Sequence, residues 1–252
     1  MIEIVVLSII QGVTEFLPVS SSAHLIITAK YFNFNNQNLT LDMSLHLGSL
    51  LAIIFYFKKD LSNLINNNNK LFLKITLSSV PVIIFGFFLV QLNLIDYLRG
   101  YKIIGWSTVF FAVLLYFSDL VKVKKKFKRD FKYSSAIYIG FFQVLSLVPG
   151  VSRSGIAITA ARLLNFGRID AAQISFLISI PILSVVSLYN LQSLLINKSF
   201  DISLLNFLGI FLSFIFSYAT IKYFLKFLKR FSLLTFVVYR LILGSFILIY
   251  AY

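Results

Sequence analysis

Long apolar stretches that alternate with short polar ones dominate the chain. About six of them are candidate membrane-spanning helices, because roughly 20 apolar residues cross the hydrocarbon core of a bilayer. These candidate spans lie at 43–57, 71–93, 103–118, 171–189, 204–221 and 232–251. The pattern therefore predicts an all-α polytopic membrane protein with about six full transmembrane helices.

Two further apolar stretches are each interrupted by proline and serine. The first runs from 1 to 30 and is broken at Pro18 and the serines that follow it. The second runs from 134 to 164 and is broken at Pro149 and Gly150. The pieces on either side of each break are shorter than a full crossing. We therefore predict two re-entrant helix hairpins.

The longest polar segment divides the chain into two halves that have the same order of elements. It is the lysine-rich sequence "VKVKKKFKRDFK". We predict a single membrane domain, 1–252, built from a first repeat at 1–118, a basic cytoplasmic loop at 119–133 and a second repeat at 134–252. An offset of 132 residues aligns four identical residues around the two breaks: Gln11 with Gln143, Val19 with Val151, Ser20 with Ser152 and Ser22 with Ser154.

The distribution of charge agrees with this arrangement. If the six spans cross and both hairpins turn back, 16 of the 23 basic residues lie on one side, which the positive-inside rule makes cytoplasmic. The first hairpin then enters from outside and the second from the cytoplasm. Hairpins that enter from opposite sides are typical of an inverted repeat.

The composition narrows the classes of function. The chain is 59% hydrophobic and 13% charged, with a net charge of +14. Because the lysines cluster in short loops between apolar runs, the charge indicates a membrane protein with no nucleic-acid partner. The absence of cysteine excludes disulfides, thiolate metal sites and a cysteine nucleophile.

The first break gathers a carboxylate, hydroxyls and an imidazole. Gln11 and Glu15 lie four residues apart, hence on one face of a helix that Pro18 ends. Three serines, Ser20 to Ser22, and His24 fall in the first turn of the next helix, where His24 can reach a serine hydroxyl. Such a helix start favours an anion such as phosphate. The alternatives are N-capping serines and a histidine that is hydrogen-bonded in the core.

The second break places Arg153 at membrane depth among polar residues. Even the lenient insertion scale makes an arginine at the centre of a spanning helix unfavourable by roughly 2.5 to 3.5 kcal/mol, so it is expected to face a partner, a cavity or a substrate. A guanidinium binds phosphate with two parallel hydrogen bonds. The alternative is an arginine that reaches the interface or pairs with a structural carboxylate. If the hairpins meet, both breaks together form a site suited to phosphoryl transfer.

Four motifs together resemble a known family: "QGVTEFLPVSSSAHL", "HLGSLLAIIFYFKKDL", "PGVSRSGIAIT" and "SFLISIP". Over about 9–181 they look like the undecaprenyl-diphosphate phosphatases of the bacitracin-resistance type. The resemblance implies hydrolysis of undecaprenyl diphosphate to the monophosphate carrier, which recycles the carrier for peptidoglycan synthesis and confers bacitracin resistance. It also implies a divalent cation, Mg²⁺ or Ca²⁺, a polyprenyl diphosphate substrate among membrane lipids, and a bacterial inner-membrane enzyme open to the outer face. A homodimer is left open.

We interpret four residues as catalytic: Glu15, which also holds the metal, Ser21 as nucleophile, His24 as acid or base, and Arg153 on the phosphates. The expected substrate-binding residues are Gln11, Ser20, Ser22, Gly150, Ser152 and Ser154. Water activated by the metal or by Glu15 is the alternative nucleophile, and a lipid or ion transporter is the rival function.

Two positions depart from the family pattern. Gln11 stands where many members have a glutamate, and Ala157 stands where a threonine is usual. We expect His46 to be a polar residue at a helix start, outside the site.

Overall fold

The computed structural model describes residues 2–32, 34, 39–67, 69–92, 94–196 and 204–252, which are helical apart from turns and one isolated bridge between Lys125 and Phe166. The helices are α1 (Ile2–Thr14), α2 (Ser21–Tyr31), α3 (Leu39–Tyr56), α4 (Lys58–Asn67), α5 (Asn69–Gln91), α6 (Ile95–Leu98), α7 (Tyr101–Asp119), α8 (Phe127–Asp130), α9 (Tyr133–Val144), α10 (Arg153–Leu163), α11 (Arg168–Ile196), α12 (Leu204–Phe227) and α13 (Leu234–Ala251).

Five helices in the described part of the chain are long and apolar enough to cross a membrane: α5, α7, α11, α12 and α13. This makes the chain an all-α, multi-pass membrane protein, as the sequence predicts. The sixth predicted span, α3, is apolar, but its stretch Thr40–Tyr56 is shorter than these five. Its crossing of the bilayer, like the exact number of spans, stays a prediction.

The polar connection after α3 differs from the sequence interpretation. Residues 58–67 form α4, whereas an asparagine-rich loop was expected at 66–69. Asn68 lies outside the described residues, as do parts of the polar linker predicted at 31–42. The sequence of α4, KKDLSNLINN, spaces its apolar residues at helical intervals, a pattern that the run of turn-forming asparagines obscured.

The two broken stretches form two pairs of short helices, α1 with α2 and α9 with α10. Helices α2 and α10 each have 11 residues and begin at positions 132 apart. The residue before each is a serine in the left-handed region, Ser20 with φ 74° and Ser152 with φ 72°. The re-entrant path and the inverted repeat remain predictions, which this matching geometry favours.

Small residues allow the helices to approach closely. A Cβ atom at Gly48 would lie 2.4 Å from the carbonyl oxygen of Ile210, so α3 and α12 pack nearly backbone to backbone. Beside this contact, the hydroxyls of Ser49 and Ser213 lie 3.1 Å apart and those of Ser49 and Ser217 lie 3.0 Å apart. Contact through small and hydroxyl residues is the usual way in which membrane helices associate.

The basic segment at 119–133 packs against the C-terminal end of α10. Arg162, which is 2% exposed, donates hydrogen bonds to the carbonyl oxygens of Phe166, Asp119 and Val121. Asp119 also receives two hydrogen bonds from Arg168 at 2.7 and 3.0 Å. Arg162 therefore anchors the C-terminal end of α10. Arg153 lies at the other end of the same helix.

Candidate active site

The two breaks meet at a cavity of about 200 Å³. The backbone N–H of Gly150 donates to the hydroxyl of Ser20 at 3.2 Å, and the hydroxyl of Ser154 donates to the carbonyl oxygen of Leu17 at 2.7 Å. These hydrogen bonds link residues that are 130 and 137 positions apart in the chain. The site predicted from the two motifs is thus brought together by direct contact between the breaks.

Glu15 lies at the centre of the polar side of the cavity. Its side chain is 3% exposed and forms an ion pair with Arg153 through Oε1. The other oxygen, Oε2, accepts hydrogen bonds from Ser21 Oγ at 2.6 Å and from Gln11 Nε2 at 3.0 Å. A buried carboxylate requires such compensation, because its desolvation costs several kcal/mol. Glu15 therefore connects the candidate nucleophile with the candidate phosphate-binding arginine.

Arg153 is the first residue of α10 and projects from a helix start that is internally capped. The hydroxyl of Ser152 accepts a hydrogen bond from the backbone N–H of Gly155 at 3.1 Å and lies 3.2 Å from the hydroxyl of Ser154. The helix N-terminus adds partial positive charge to that of the guanidinium. An anion in the cavity would meet both charges together.

Ser20 and Ser152 adopt a backbone conformation that is uncommon for residues other than glycine. Their positive φ angles of 74° and 72° cost of order 1–3 kcal/mol each and persist only where the surroundings impose them. Both serines line the cavity. The strain is therefore located at the helix starts that face the candidate site. At the first break, the hydroxyls of Ser20 and Ser22 lie 3.3 Å apart.

His24 is placed differently from the simplest expectation. Its Nδ1 lies 2.7 Å from the carbonyl oxygen of Ser20, and its Nε2 lies 2.5 Å from the hydroxyl of Tyr239, against whose ring it stacks. The hydroxyls of Ser20 and Ser21 bond elsewhere, to Ser22 and Glu15. A helical residue faces the backbone carbonyl four positions earlier, so the ring reaches that oxygen instead of a hydroxyl. The catalytic role of His24 stays a prediction.

Three residues near the site were missed by the sequence argument. His46, which we expected outside the site, lines the cavity, and its Nδ1 lies 2.8 Å from the carbonyl oxygen of Asp42. Arg240 and Tyr239 of α13 contact the second and first broken segments respectively. A charged residue in the apolar run "FVVYRLILGSF" was the signal that could have identified Arg240.

Another part of the cavity wall is apolar. It is formed by Val82 from α5, Leu147 between α9 and α10, and three residues of α11: Ile182, Leu183 and Val186. The cavity therefore has a charged, hydroxyl-rich side and a hydrocarbon-like side. This combination suits an amphiphile with a phosphate headgroup better than a free phosphate ester.

The oxygen donors around Glu15 are of the type that hard divalent cations prefer. In the described ranges, no group of three or more His, Asp or Glu residues could hold a metal ion. However, the side-chain oxygen Oε1 of Gln11 is buried without a hydrogen-bond partner, one helical turn from Glu15. A single carboxylate with an amide oxygen fits a Mg²⁺-type site that is completed by substrate phosphate.

Comparison with known proteins identifies relatives over the whole chain. The sequence model of a family described as "Bacitracin resistance protein BacA" matches residues 4–246. The undecaprenyl-diphosphatase of Pelagibacter ubique is 46% identical over 252 residues, covering 100% of this chain and 98% of that protein. That of Saccharophagus degradans is 41% identical over 96% of this chain and 94% of its own length. Undecaprenyl-diphosphatase 1 of Pseudoalteromonas translucida is 37% identical over 99% and 98% respectively. These findings support a phosphatase and give no support to the transporter alternative.

Proposed function

Because the chain belongs to the bacitracin resistance protein BacA family, we propose that it hydrolyses undecaprenyl diphosphate to undecaprenyl phosphate and inorganic phosphate. The observation that carries this proposal is the two-sided cavity. Arg153, Glu15 and Ser21 form its polar side and are in mutual contact through Glu15, while α5 and α11 provide the apolar side. A diphosphate on a polyprenyl chain has the same division of polarity.

Arg153 and the start of α10 bind the diphosphate. In the substrate-free protein the guanidinium is paired with Glu15, and a phosphate oxygen that enters the cavity competes for it. Binding therefore exchanges one anionic partner of Arg153 for another, and the guanidinium then offsets the charge that develops on the transferred phosphoryl group. Ser152 and Ser154 keep the helix start in place.

Ser21 is the proposed nucleophile, and its contact with Glu15 favours Glu15 over His24 as the base. The hydroxyl already donates to Oε2 at 2.6 Å, so the carboxylate can accept its proton as the oxygen attacks the terminal phosphorus. The bond from that phosphorus to the bridging oxygen breaks, and undecaprenyl phosphate leaves. Water then cleaves the phosphoserine and releases phosphate.

A labelling experiment tests this covalent step. Substrate with ³²P in the terminal phosphoryl group is mixed with purified protein and quenched in acid. We expect acid-stable label on the wild-type chain and none on Ser21→Ala, while Ser134→Ala, which removes an exposed hydroxyl of α9 that does not line the cavity, keeps it. Full turnover by Ser21→Ala with no trapped label would instead establish attack by water.

Glu15 and Gln11 are the residues that would hold a divalent cation, Mg²⁺ or Ca²⁺. When bound, the cation supplies positive charge that neutralises the phosphate oxygens. Gln11 contributes an uncharged amide oxygen where the family pattern has a carboxylate, so we expect weaker cation binding than with two carboxylates. Gln11→Glu should lower the Mg²⁺ or Ca²⁺ concentration that gives half-maximal phosphate release.

We further propose that the protein lies in the bacterial plasma membrane with the cavity open to the outer face and the basic segment in the cytoplasm. The chain has no cysteine, so single-cysteine labelling is free of background. A membrane-impermeant maleimide should modify Lys102→Cys in intact cells and Lys126→Cys only after lysis. The reverse pattern would overturn this orientation.

A homodimer stays a prediction, which light scattering of the detergent-solubilised protein tests.

A further inference from the structure

Arg240 is a second arginine at membrane depth, and the proposed chemistry does not use it. It lies in the middle of α13, a candidate spanning helix, and its side chain is completely buried at 0% exposure. Among the described residues it forms no salt bridge with a carboxylate. Burying an unpaired guanidinium is costly, so its contacts point to a role for the charge.

The guanidinium binds the backbone of the second break. Nη2 donates to the carbonyl oxygen of Gly150 at 2.9 Å and to that of Val151 at 3.0 Å. From α7, Ser107 Oγ donates to the preceding carbonyl, that of Pro149, at 2.6 Å. Three successive carbonyl oxygens of the turn at 149–152 therefore accept hydrogen bonds from side chains of α7 and α13.

These contacts hold the backbone of the turn from outside the cavity. Neither Arg240 nor Ser107 lines the cavity, so the carbonyl oxygens of the turn have hydrogen-bond partners that are not part of its wall. Carbonyl oxygens carry partial negative charge and would repel a phosphate. The left-handed conformation of Gly150, with φ 96°, permits this arrangement of the turn. The turn then leads directly into Arg153 and the positive end of α10.

Tyr239, the residue before Arg240, contacts the first broken segment. The hydroxyl of Tyr239 lies 2.5 Å from Nε2 of His24, whose Nδ1 contacts the carbonyl oxygen of Ser20. Two adjacent residues of α13 thus contact both broken segments. In addition, a Cβ atom at Gly155 would lie 3.1 Å from Nη1 of Arg240, so α10 packs tightly on this guanidinium.

We propose that Arg240 is a positioning residue for phosphoryl transfer: it holds the turn at 149–152 so that Arg153 and the start of α10 face the substrate phosphate. This inference rests on the proposed hydrolysis of undecaprenyl diphosphate. It assigns to α13 a part in the site, although the C-terminal spans carry none of the sequence motifs. Misplacing the phosphate-binding groups weakens interactions made in the transition state, so the expected effect is on kcat.

The test uses Arg240→Met, which keeps the approximate length of the side chain and removes its donors. Phosphate release from undecaprenyl diphosphate is measured per folded molecule, taken as the monodisperse fraction in gel filtration. We expect kcat to fall about 10- to 100-fold, which corresponds to the loss of hydrogen bonds from a charged donor, with KM changing less than threefold. Arg240→Lys, which keeps the charge and can reach one carbonyl oxygen at a time, should restore part of the activity.

Arg162→Met is the matched control. Arg162 is also buried and donates to three backbone carbonyl oxygens, where Arg240 donates to two, but it lies at the end of α10 far from the cavity. The variant Arg162→Met should reduce the folded fraction and leave kcat per folded molecule within twofold of wild type. If Arg240→Met likewise lowered the folded fraction but left kcat per folded molecule within twofold of wild type, the inference would be overturned. Should that variant not fold, wild-type kcat in Arg240→Lys would overturn it, and a reduced kcat would support it. Absence of phosphate release by the wild type would instead refute the proposed function.

Discussion

Removal of the guanidinium of Arg153 leaves the Glu15 carboxylate buried without a countercharge. We expect Arg153→Met to lower the free energy of unfolding, because Glu15 and Arg153 have side chains that are only 3% and 19% exposed and solvent screens the pair weakly. Breaking a buried ion pair by removing one partner costs about 3–5 kcal/mol. The hydrogen bonds from Gln11 and Ser21 remain and stabilise the lone carboxylate, so the lower end, about 3 kcal/mol, is expected.

The second substitution, Glu15→Gln, removes the charge that the first leaves unpaired. The double variant Glu15→Gln/Arg153→Met should therefore recover about 2 kcal/mol relative to Arg153→Met alone, and including the single Glu15→Gln variant gives the coupling energy of the pair. Its phosphate release should stay as low as that of Arg153→Met or lower, because neither the phosphate-binding group nor the base is restored.

The assay is unfolding in mixed micelles by increasing denaturing detergent, followed by circular dichroism of the helices and accompanied by phosphate release from the same samples. Both variants and the single Glu15→Gln protein are compared with wild type. Equal stability of the double variant and Arg153→Met would refute this expectation, since it would mean that the lone buried carboxylate of Glu15 does not destabilise the fold. Recovery of activity in the double variant would show that Arg153 serves only to neutralise Glu15.

Three other substitutions test the packing around the site. Gly150→Ala should lower phosphate release at least tenfold, because the residue has φ 96° and its added Cβ would lie 2.2 Å from a serine hydroxyl of α7. Gly48→Ala should destabilise the fold by about 1–3 kcal/mol, since its Cβ would lie 2.4 Å from a carbonyl oxygen of α12, whereas Gly209→Ala, with no neighbour nearer than 3.5 Å, should be tolerated. Tyr239→Phe, which removes the hydroxyl 2.5 Å from His24, should reduce kcat severalfold without unfolding the protein; wild-type kcat would contradict the support of α2 by α13.

The sequence predicts most of the helices and the contact between the two breaks. Apolar runs of membrane length predict the long helices, and Pro18 and Pro149 mark where the short ones end. Glu15 and Arg153, which the motifs single out as polar groups at membrane depth, form an ion pair in the structure. A charge in an apolar segment requires a partner, which is why the sequence predicts both residues in one site, although pairing with a carboxylate was the alternative to phosphate binding by Arg153.

The rest of the site depends on contacts that no local spacing encodes. The spacing of His24 from the serines is compatible with a hydroxyl contact, yet its ring bonds a backbone carbonyl and Tyr239, which lies 215 residues away. His46 reaches the cavity because α3 is packed against α11 and α12. Arg240 has the same signal as Arg153, but its segment has no proline break to draw attention to it. Partners that come together only through helix packing have to be read from the structure.

The central claim is that the cavity between the two breaks hydrolyses a polyprenyl diphosphate through Arg153. Its most direct test is release of inorganic phosphate from undecaprenyl diphosphate by the purified wild type and by folded Arg153→Met, with Mg²⁺ or Ca²⁺ supplied. We expect turnover by the wild type and a rate at least about 100-fold lower for the variant, the usual effect of removing a group that stabilises the charge of the transition state. Equal phosphate release by the two proteins would contradict it.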